Sequence, residues 1–266
     1  MTDMRIGIIG CGNMGGAIAR GVVNKGIVEA GSVLLNDKEE NKAVSLAKET
    51  GSRVESLGSV VRSSDILIIA VKPQDSDVLL QEIAADIDKQ TVVSIMAGVR
   101  IDRIAGKLGK EAPIARAMPN MAALVNESIT CISFNLLVER KEKVKAVFSG
   151  IGKVLEVEEG ALDAVTALSG SGPAYLFYLA DAMMSAGEKN GLGREAVKEL
   201  VTQTLYGAAI LLGRSQSSPG ELIEKVASKG GTTEAALSVF NEKNLKAIIE
   251  RAVDSARKRS EELSKG

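Results

Sequence analysis

The chain has 266 residues, enough for one large domain or two modest ones, each with its own core. Lys and Arg number 33 against 34 Asp and Glu, a balance that leaves no electrostatic footprint for nucleic acid or an anionic membrane. Histidine is absent, which removes the commonest general acid–base group and the commonest transition-metal ligand, so no metal site is expected.

The chain opens MTDMRIG, with strand residues at once and no signal-peptide pattern. Ile6 to Ile9 is a short apolar run that reads as a buried strand. Gly10-Cys11-Gly12-Asn13-Met14-Gly15 follows, and then apolar residues at helical spacing: Met14, Ala17, Ile18 and Val22. Strand, G-x-G-x-x-G, helix is the order a dinucleotide-binding fold requires. Gly10 allows the tight turn, Gly12 lets backbone approach a pyrophosphate, and Gly15 lets the helix pack on the strand. Phosphates are then expected on the free N–H groups of the helix start, around Asn13 and Met14. Gly26 reads as the C-terminal cap of that helix.

Val33 to Asp37 is the second expected strand, and Glu39 to Thr50 a helix stopped by Gly51. Asp37 falls where a carboxylate accepts from the ribose 2′-OH of NAD, and Lys38 where a cation meets the 2′-phosphate of NADP. A turn Asp beside a solvated Lys is the plain structural alternative. Ile66 to Val71 is a continuous apolar run of the kind buried on both faces of a parallel sheet. It leads into Ala70-Val71-Lys72-Pro73, placed beyond a strand end where ligands of such sheets bind; an ordinary strand-end Lys is the competing reading. Thr91 to Ile95 is a further strand, and small residues after it, Ala97 among them, leave room for a nicotinamide ring. Ile114 to Met118, Ile129 to Ser133 and Lys153 to Val157 complete the strands, with Arg116-Ala117-Met118-Pro119-Asn120 repeating the strand-end theme. Alternation of strands and helices predicts a doubly wound, parallel α/β sheet of Rossmann type over residues 1–160.

From Leu162 onward no strand is expected. Helices are predicted over 174–190, 194–213, 219–227, 233–241 and 244–264, forming a second, all-helical domain over residues 161–266. Residues 174–187 and 204–213 are apolar nearly all round, which calls for burial on every side. A second subunit meets that need, and a large internal core is the alternative. No apolar run approaches the roughly 18 residues that span a bilayer. Cys11 and Cys131 are too few for a disulfide framework and read as small buried thiols of a reducing compartment, so a cytoplasmic protein is expected.

Two more stretches carry chemistry. Ser169-Gly170-Ser171-Gly172-Pro173 precedes a long helix, either as a flexible approach to a substrate or as a helix-entry turn. Ser228-Lys229-Gly230-Gly231-Thr232-Thr233 precedes another, with Thr233 a natural N-cap. Its functional reading is an anion site, in which Gly230 and Gly231 expose N–H groups suited to a carboxylate and a Thr hydroxyl reaches a reacting nitrogen.

Taken together, IGIIGCGNMGGAIA (6–19), AVKPQ (70–74), SIMAGV (94–99), RAMPN (116–120), LSGSGPAY (168–175) and SSPGELIEKVASKGGTTEAAL (217–237) resemble pyrroline-5-carboxylate reductases, in family order and over nearly the whole length. The resemblance implies an N-terminal dinucleotide domain and a helical domain that interleaves with that of a second subunit, giving a homodimer or a higher oligomer of dimers. It implies reduction of 1-pyrroline-5-carboxylate to L-proline. The substrate carboxylate is then held by the Gly230-Gly231-Thr232-Thr233 turn with Ser171 nearby, and Thr233 is the catalytic Thr beside the ring nitrogen. NADP(H) is favoured as cofactor, with NAD(H) the alternative that Asp37 keeps open.

Two rivals have the same build. A β-hydroxy-acid dehydrogenase needs a base for the alcohol, a Lys at the start of the long interdomain helix, yet Pro173 to Phe177 holds none. An NAD(P)H-sensing module with no enzymatic role leaves the 230–233 turn idle.

Overall fold

The computed structural model describes residues 4–109 and 111–265; residues 1–3, the start of the stretch read for a leader, lie outside them. In chain order the first part runs β1 (Ile6–Ile9), α1 (Asn13–Asn24), β2 (Val33–Asn36), α2 (Glu40–Thr50), β3 (Arg53–Val54), α3 (Leu57–Ser63), β4 (Ile66–Ile69) and α4 (Ser76–Ile83). It continues through β5 (Thr91–Ser94), α5 (Ile101–Leu108), β6 (Ile114–Met118), β7 (Ser128–Phe134), α6 (Lys141–Ser149) and β8 (Gly152–Glu156).

The strands form one sheet in the order β3-β2-β1-β4-β5-β6-β7-β8. Strand order reverses between β1 and β4, and this switch point opens a crevice beyond the strands' carboxyl ends. Every residue of β1 and β4 is buried, as continuous apolar runs require. Helices cover both faces. Ile18, Val22, Leu46 and Phe148 pack on Ile8, Ile68 and Ala115 on one side, while Val60, Leu80, Ile83 and Ile104 pack on Ile9, Leu67 and Val92 on the other. Burial of each such side chain contributes about 1.5–3 kcal/mol. One pairing departs from the all-parallel expectation: β7 runs antiparallel to β6. The turn between them is short and closes at Asn126, which has a left-handed φ of 59°.

The end of α1 follows the glycine rule. Gly26 has φ 64°; its N–H donates to the Val23 carbonyl, and the Ile27 N–H to the Val22 carbonyl, each at 2.9 Å.

Beyond the sheet come α7 (Leu162–Val165), a π-helical turn Thr166–Gly170, α8 (Gly172–Lys189), α9 (Arg194–Arg214), α10 (Pro219–Val226), α11 (Thr232–Glu242) and α12 (Leu245–Lys265). Two compact units result. The first is Met1–Ser171 with Ala256–Gly266, and the second is Gly172–Ser255. The compact units divide at Ser171, with the last turns of α12 counted in the first, while the change from strands to helices read from the sequence lies at 160/161.

Inside the second unit α8 and α9 form a hairpin. Gly187 allows the close approach, since a Cβ there would lie 2.9 Å from Val197 Cγ2. Val197 and Val201 are buried, but Leu176, Phe177, Tyr178, Tyr206, Leu211 and Leu212 are exposed. The reading of 174–187 and 204–213 as helices buried in an internal core therefore fails within one chain. The apolar surface is there, and it faces outward.

Candidate active site

The glycine turn has the geometry its spacing predicts. Gly10 has φ 100°, and a Cβ there would meet the Ala70 carbonyl oxygen at 2.6 Å. A Cβ on Gly15 would stand 1.9 Å from the Gly10 oxygen, so the helix sits directly on the turn. Gly12 is different: nothing lies within 4 Å of its Cβ direction. It is the N-cap of α1 and supplies no side-chain acceptor, so the helix's first N–H groups face open space beside Asn13 and Met14. That is an anion-binding helix start with room for a phosphate.

Asp37 sits just past β2. Its Oδ2 accepts the Cys11 N–H at 2.6 Å and its Oδ1 accepts the Glu39 N–H at 2.8 Å. The carboxylate therefore ties the glycine turn to the start of α2. The Cys11 thiol lies under this turn, its pKa pushed up to about 12 by burial first and by the Asp37 charge second. It is a protonated, unreactive thiol at neutral pH, as the sequence reading expects. Lys38 pairs with Asp75 at 3.0 Å but stays 73% exposed. A pair so hydrated is worth at most about 1 kcal/mol and gives way readily to a phosphate.

At the neighbouring strand ends, the Ala70 N–H donates to the Ile9 carbonyl (2.8 Å) and the Ile95 N–H to the Ile69 carbonyl (3.1 Å). Ala70 thus lies against the glycine turn, and the segment leading to Ala97 leaves the sheet beside the end of β4. Lys72 is exposed and caps the short 3-10 turn begun by Pro73.

A cleft of about 180 Å³ opens beside α1, lined by Asn13, Met14, Pro119, Asn120, Met121 and Gly170 among others. Asn120 organises one wall. Its Oδ1 accepts the Ala122 N–H (3.2 Å), its Nδ2 donates to Ser169 Oγ (3.2 Å), and its own N–H donates to Ser128 Oγ (3.2 Å). The 116–120 stretch hints at this wall by its strand-end position; Met121 and the bond to Ser169 have no local signal. Ser171 closes the π turn, its N–H bonding the Thr166 carbonyl at 2.8 Å.

In the second unit, the start of α11 differs from the sequence reading in two ways. The N-cap is Gly231, extended at φ −86°, ψ 173°, so Thr232 and Thr233 are the first two helical residues. Thr233 is not the cap, and among the described residues no partner holds its hydroxyl. The glycine N–H groups are also taken: Gly230 donates to the Glu234 carboxylate and Gly231 to the Ser228 carbonyl at 2.9 Å. The donors left for an anion are those of the first helical turn, starting at Thr232 and Thr233. A Cβ on Gly231 would stand 2.3 Å from Ser228 Oγ and 3.0 Å from the Ser228 carbonyl oxygen, so a side chain there would have to displace Ser228.

A glycine turn at the switch point of a doubly wound sheet, with small residues at the adjoining strand ends, defines a dinucleotide-dependent oxidoreductase. Residues 5–98 match the family model of NADP oxidoreductases that are coenzyme F420-dependent, and residues 159–263 match the model of pyrroline-5-carboxylate reductase dimerisation. The chain belongs to the pyrroline-5-carboxylate reductase family. It is 37% identical to the pyrroline-5-carboxylate reductase of Pseudomonas aeruginosa over 99% of this chain and 98% of that one. It is 36% identical to the Escherichia coli enzyme over 99% of both. The pyrroline-5-carboxylate reductase structure from Coxiella burnetii superposes with a TM-score of 0.92 at 30% identity, covering 100% of both chains. That from Plasmodium falciparum, with NADP bound, has a TM-score of 0.89 at 29% identity over 99% of both.

Proposed function

We infer that the chain reduces 1-pyrroline-5-carboxylate to L-proline with NADPH, NADH being the weaker donor. Relatedness over the full length to reductases of this name is the observation that carries the reading. The rival hydroxy-acid chemistry lacks its Lys at the start of α8, and an idle sensing module leaves the α11 turn without a role.

The residues divide the work. Gly10, Gly12 and Gly15 shape the turn, and the N–H groups around Asn13 and Met14 hold the pyrophosphate. Asp37 fixes that turn and Lys38 meets the 2′-phosphate. Ala70, Val71, Lys72, Pro73 and Ala97 form the bed under the nicotinamide ring. When bound, the cofactor supplies the hydride. Backbone N–H groups of Thr232 and Thr233 take the substrate carboxylate, supported by Gly230 and Gly231, which set the turn. The Thr233 hydroxyl orients the ring nitrogen, and Ser171 borders the substrate. An imine nitrogen is basic enough to take its proton from water, so the enzyme supplies positioning more than acid strength, in keeping with a chain that has no histidine. The protein works as a homodimer in the cytoplasm, in keeping with the dimerisation model matched over residues 159–263.

Initial rates of NADPH and NADH oxidation with the cyclic imine test the reading. Hydroxy-acid oxidation coupled to NADP reduction, with no turnover of the imine, would overturn it.

A further inference from the structure

Arg116 lies on β6, in the middle of the sheet, and is only 3% exposed. Its sheet neighbours at the same register are Ser94 and Ser133, both buried and uncharged. A cation there needs counter-charges, and two carboxylates stand beside it as ion pairs without hydrogen-bonding it: Nη1, which finds no hydrogen-bond partner among the described residues, is 3.5 Å from Glu159 Oε1, and Nη2 is 3.9 Å from Asp163 Oδ1. Each carboxylate has a second task. Glu159 Oε1 accepts the Ile101 N–H at 2.7 Å, capping the start of α5 from 58 residues away. Asp163 Oδ1 accepts the Ser260 hydroxyl at 2.6 Å and the Ser264 hydroxyl at 3.3 Å, both on the last turns of α12.

These tasks converge on one loop, residues 95–100, which joins β5 to α5. Its far end is held by Glu159. Its middle, Gly98 at φ 75°, lies against Leu263 of α12, so closely that a Cβ on Gly98 would stand 3.1 Å from Leu263 Cβ. Its near end is pinned where the Met96 N–H donates to Ser94 Oγ at 3.3 Å. Ala97 stands between these fixed points.

We propose that Arg116 is a positioning residue for hydride transfer: by holding Glu159 and Asp163 together it clamps the 95–100 loop between the start of α5 and the end of α12, and so sets the bed on which the nicotinamide ring lies. It touches neither cofactor nor substrate. The proposal rests on the reading that the ring lies over Ala97, and it adds to that reading the device that keeps the loop still. Pyrophosphate and adenosine contacts are made elsewhere, so loosening the clamp disturbs ring orientation and leaves cofactor affinity in place.

The test compares wild type with Ser260→Ala/Ser264→Ala, which frees the helix end while Arg116 stays beside Asp163 as its counter-charge, and with Arg116→Lys and Arg116→Met. The readouts are kcat with the cyclic imine, the primary isotope effect with 4-deuterated NADPH, and the Kd of NADP. The double Ser variant is expected to lose about tenfold in kcat and to show a larger isotope effect, with Kd within about twofold of wild type. Arg116→Lys is expected to recover part of what Arg116→Met loses. A double Ser variant with wild-type kcat and isotope effect would overturn the proposal, as would one whose kcat and Kd fail together. If wild type itself does not reduce the imine, the functional reading falls instead, so the two failures are distinct.

Discussion

Asp37 accepts the backbone N–H of Cys11 at 2.6 Å, which binds the end of the second strand to the middle of the glycine turn. The carboxylate therefore holds the turn at the same position that is proposed to choose between cofactors. Asp37→Asn keeps an acceptor for that N–H but removes the charge. The kcat/KM ratio of NADPH to NADH is expected to rise several-fold. The Cys11 thiol, relieved of a neighbouring negative charge, is expected to alkylate faster with iodoacetamide at high pH. Asp37→Ala strands the N–H and costs about 1–3 kcal/mol of stability, read by denaturant unfolding.

Gly12 and Gly15, three residues apart in the turn, should respond differently to the same methyl group. Gly15→Ala drives a Cβ into the Gly10 oxygen and is expected to lower the melting temperature as well as cofactor binding. Gly12→Ala meets open space in the protein. It is expected to melt like wild type yet raise the Kd of NADP at least about tenfold, because the methyl occupies the phosphate approach.

Gly231, not Thr233, caps α11, which leaves the Thr233 hydroxyl free for the role proposed for it. Thr233→Ala is expected to lower kcat/KM for the imine by about tenfold to a hundredfold, with NADP binding retained in a fluorescence titration. Thr233→Ser should keep most of the activity. Wild-type kinetics in the Ala variant would remove Thr233 from the site.

Leu176, Phe177 and Tyr178, consecutive on α8, are all exposed, the kind of apolar surface that marks a protein–protein interface. Phe177→Asp is expected to lower the mass measured by light scattering and to abolish imine reduction. The unfolding midpoint of wild type should rise with protein concentration, as it does when folding and association are linked.

Surface carboxylates govern the acid limb of stability. Arg20 holds the Glu49 carboxyl below its usual range, Arg103 does the same for Asp77, Lys145 and Lys141 for Glu156, and the Ser218 N–H for Glu221. Lowered folded values mean that these contributions are present above the unfolded values, about 4, and are lost as pH falls through the folded ones. The melting temperature is expected to be flat above about pH 5 and to fall below about pH 4, less steeply in high salt because all four groups face solvent. A melting temperature that rises on acidification would contradict these pairings.

Much of the fold is legible in particular residues. Ile66 to Val71 reads as a strand covered on both faces, and Ile66–Ile69 is one, buried throughout. Gly10, Gly15 and Gly26 each stand where sterics demand a missing Cβ or a left-handed φ. The start of α11 is less legible, because Ser, Gly and Thr all cap helices well, and the cap proves to be Gly231 rather than Thr233. The direction of β7 is not legible at all: an apolar run pairs equally well either way until its neighbours are known.

Local pattern by itself determined the alternation of strands and helices, the glycine turn at the head of α1, and the membership that follows from motifs in order. Periodicity and turn sterics act between residues a few positions apart, so one chain read linearly contains them. Only the folded chain decided that Arg116 meets Glu159 and Asp163, that Asp163 in turn meets Ser260, and that the apolar faces of α8 and α9 look outward. Those pairings join residues far apart in sequence, brought together because a buried charge must find its counter-charges in whatever the sheet and helices place beside it.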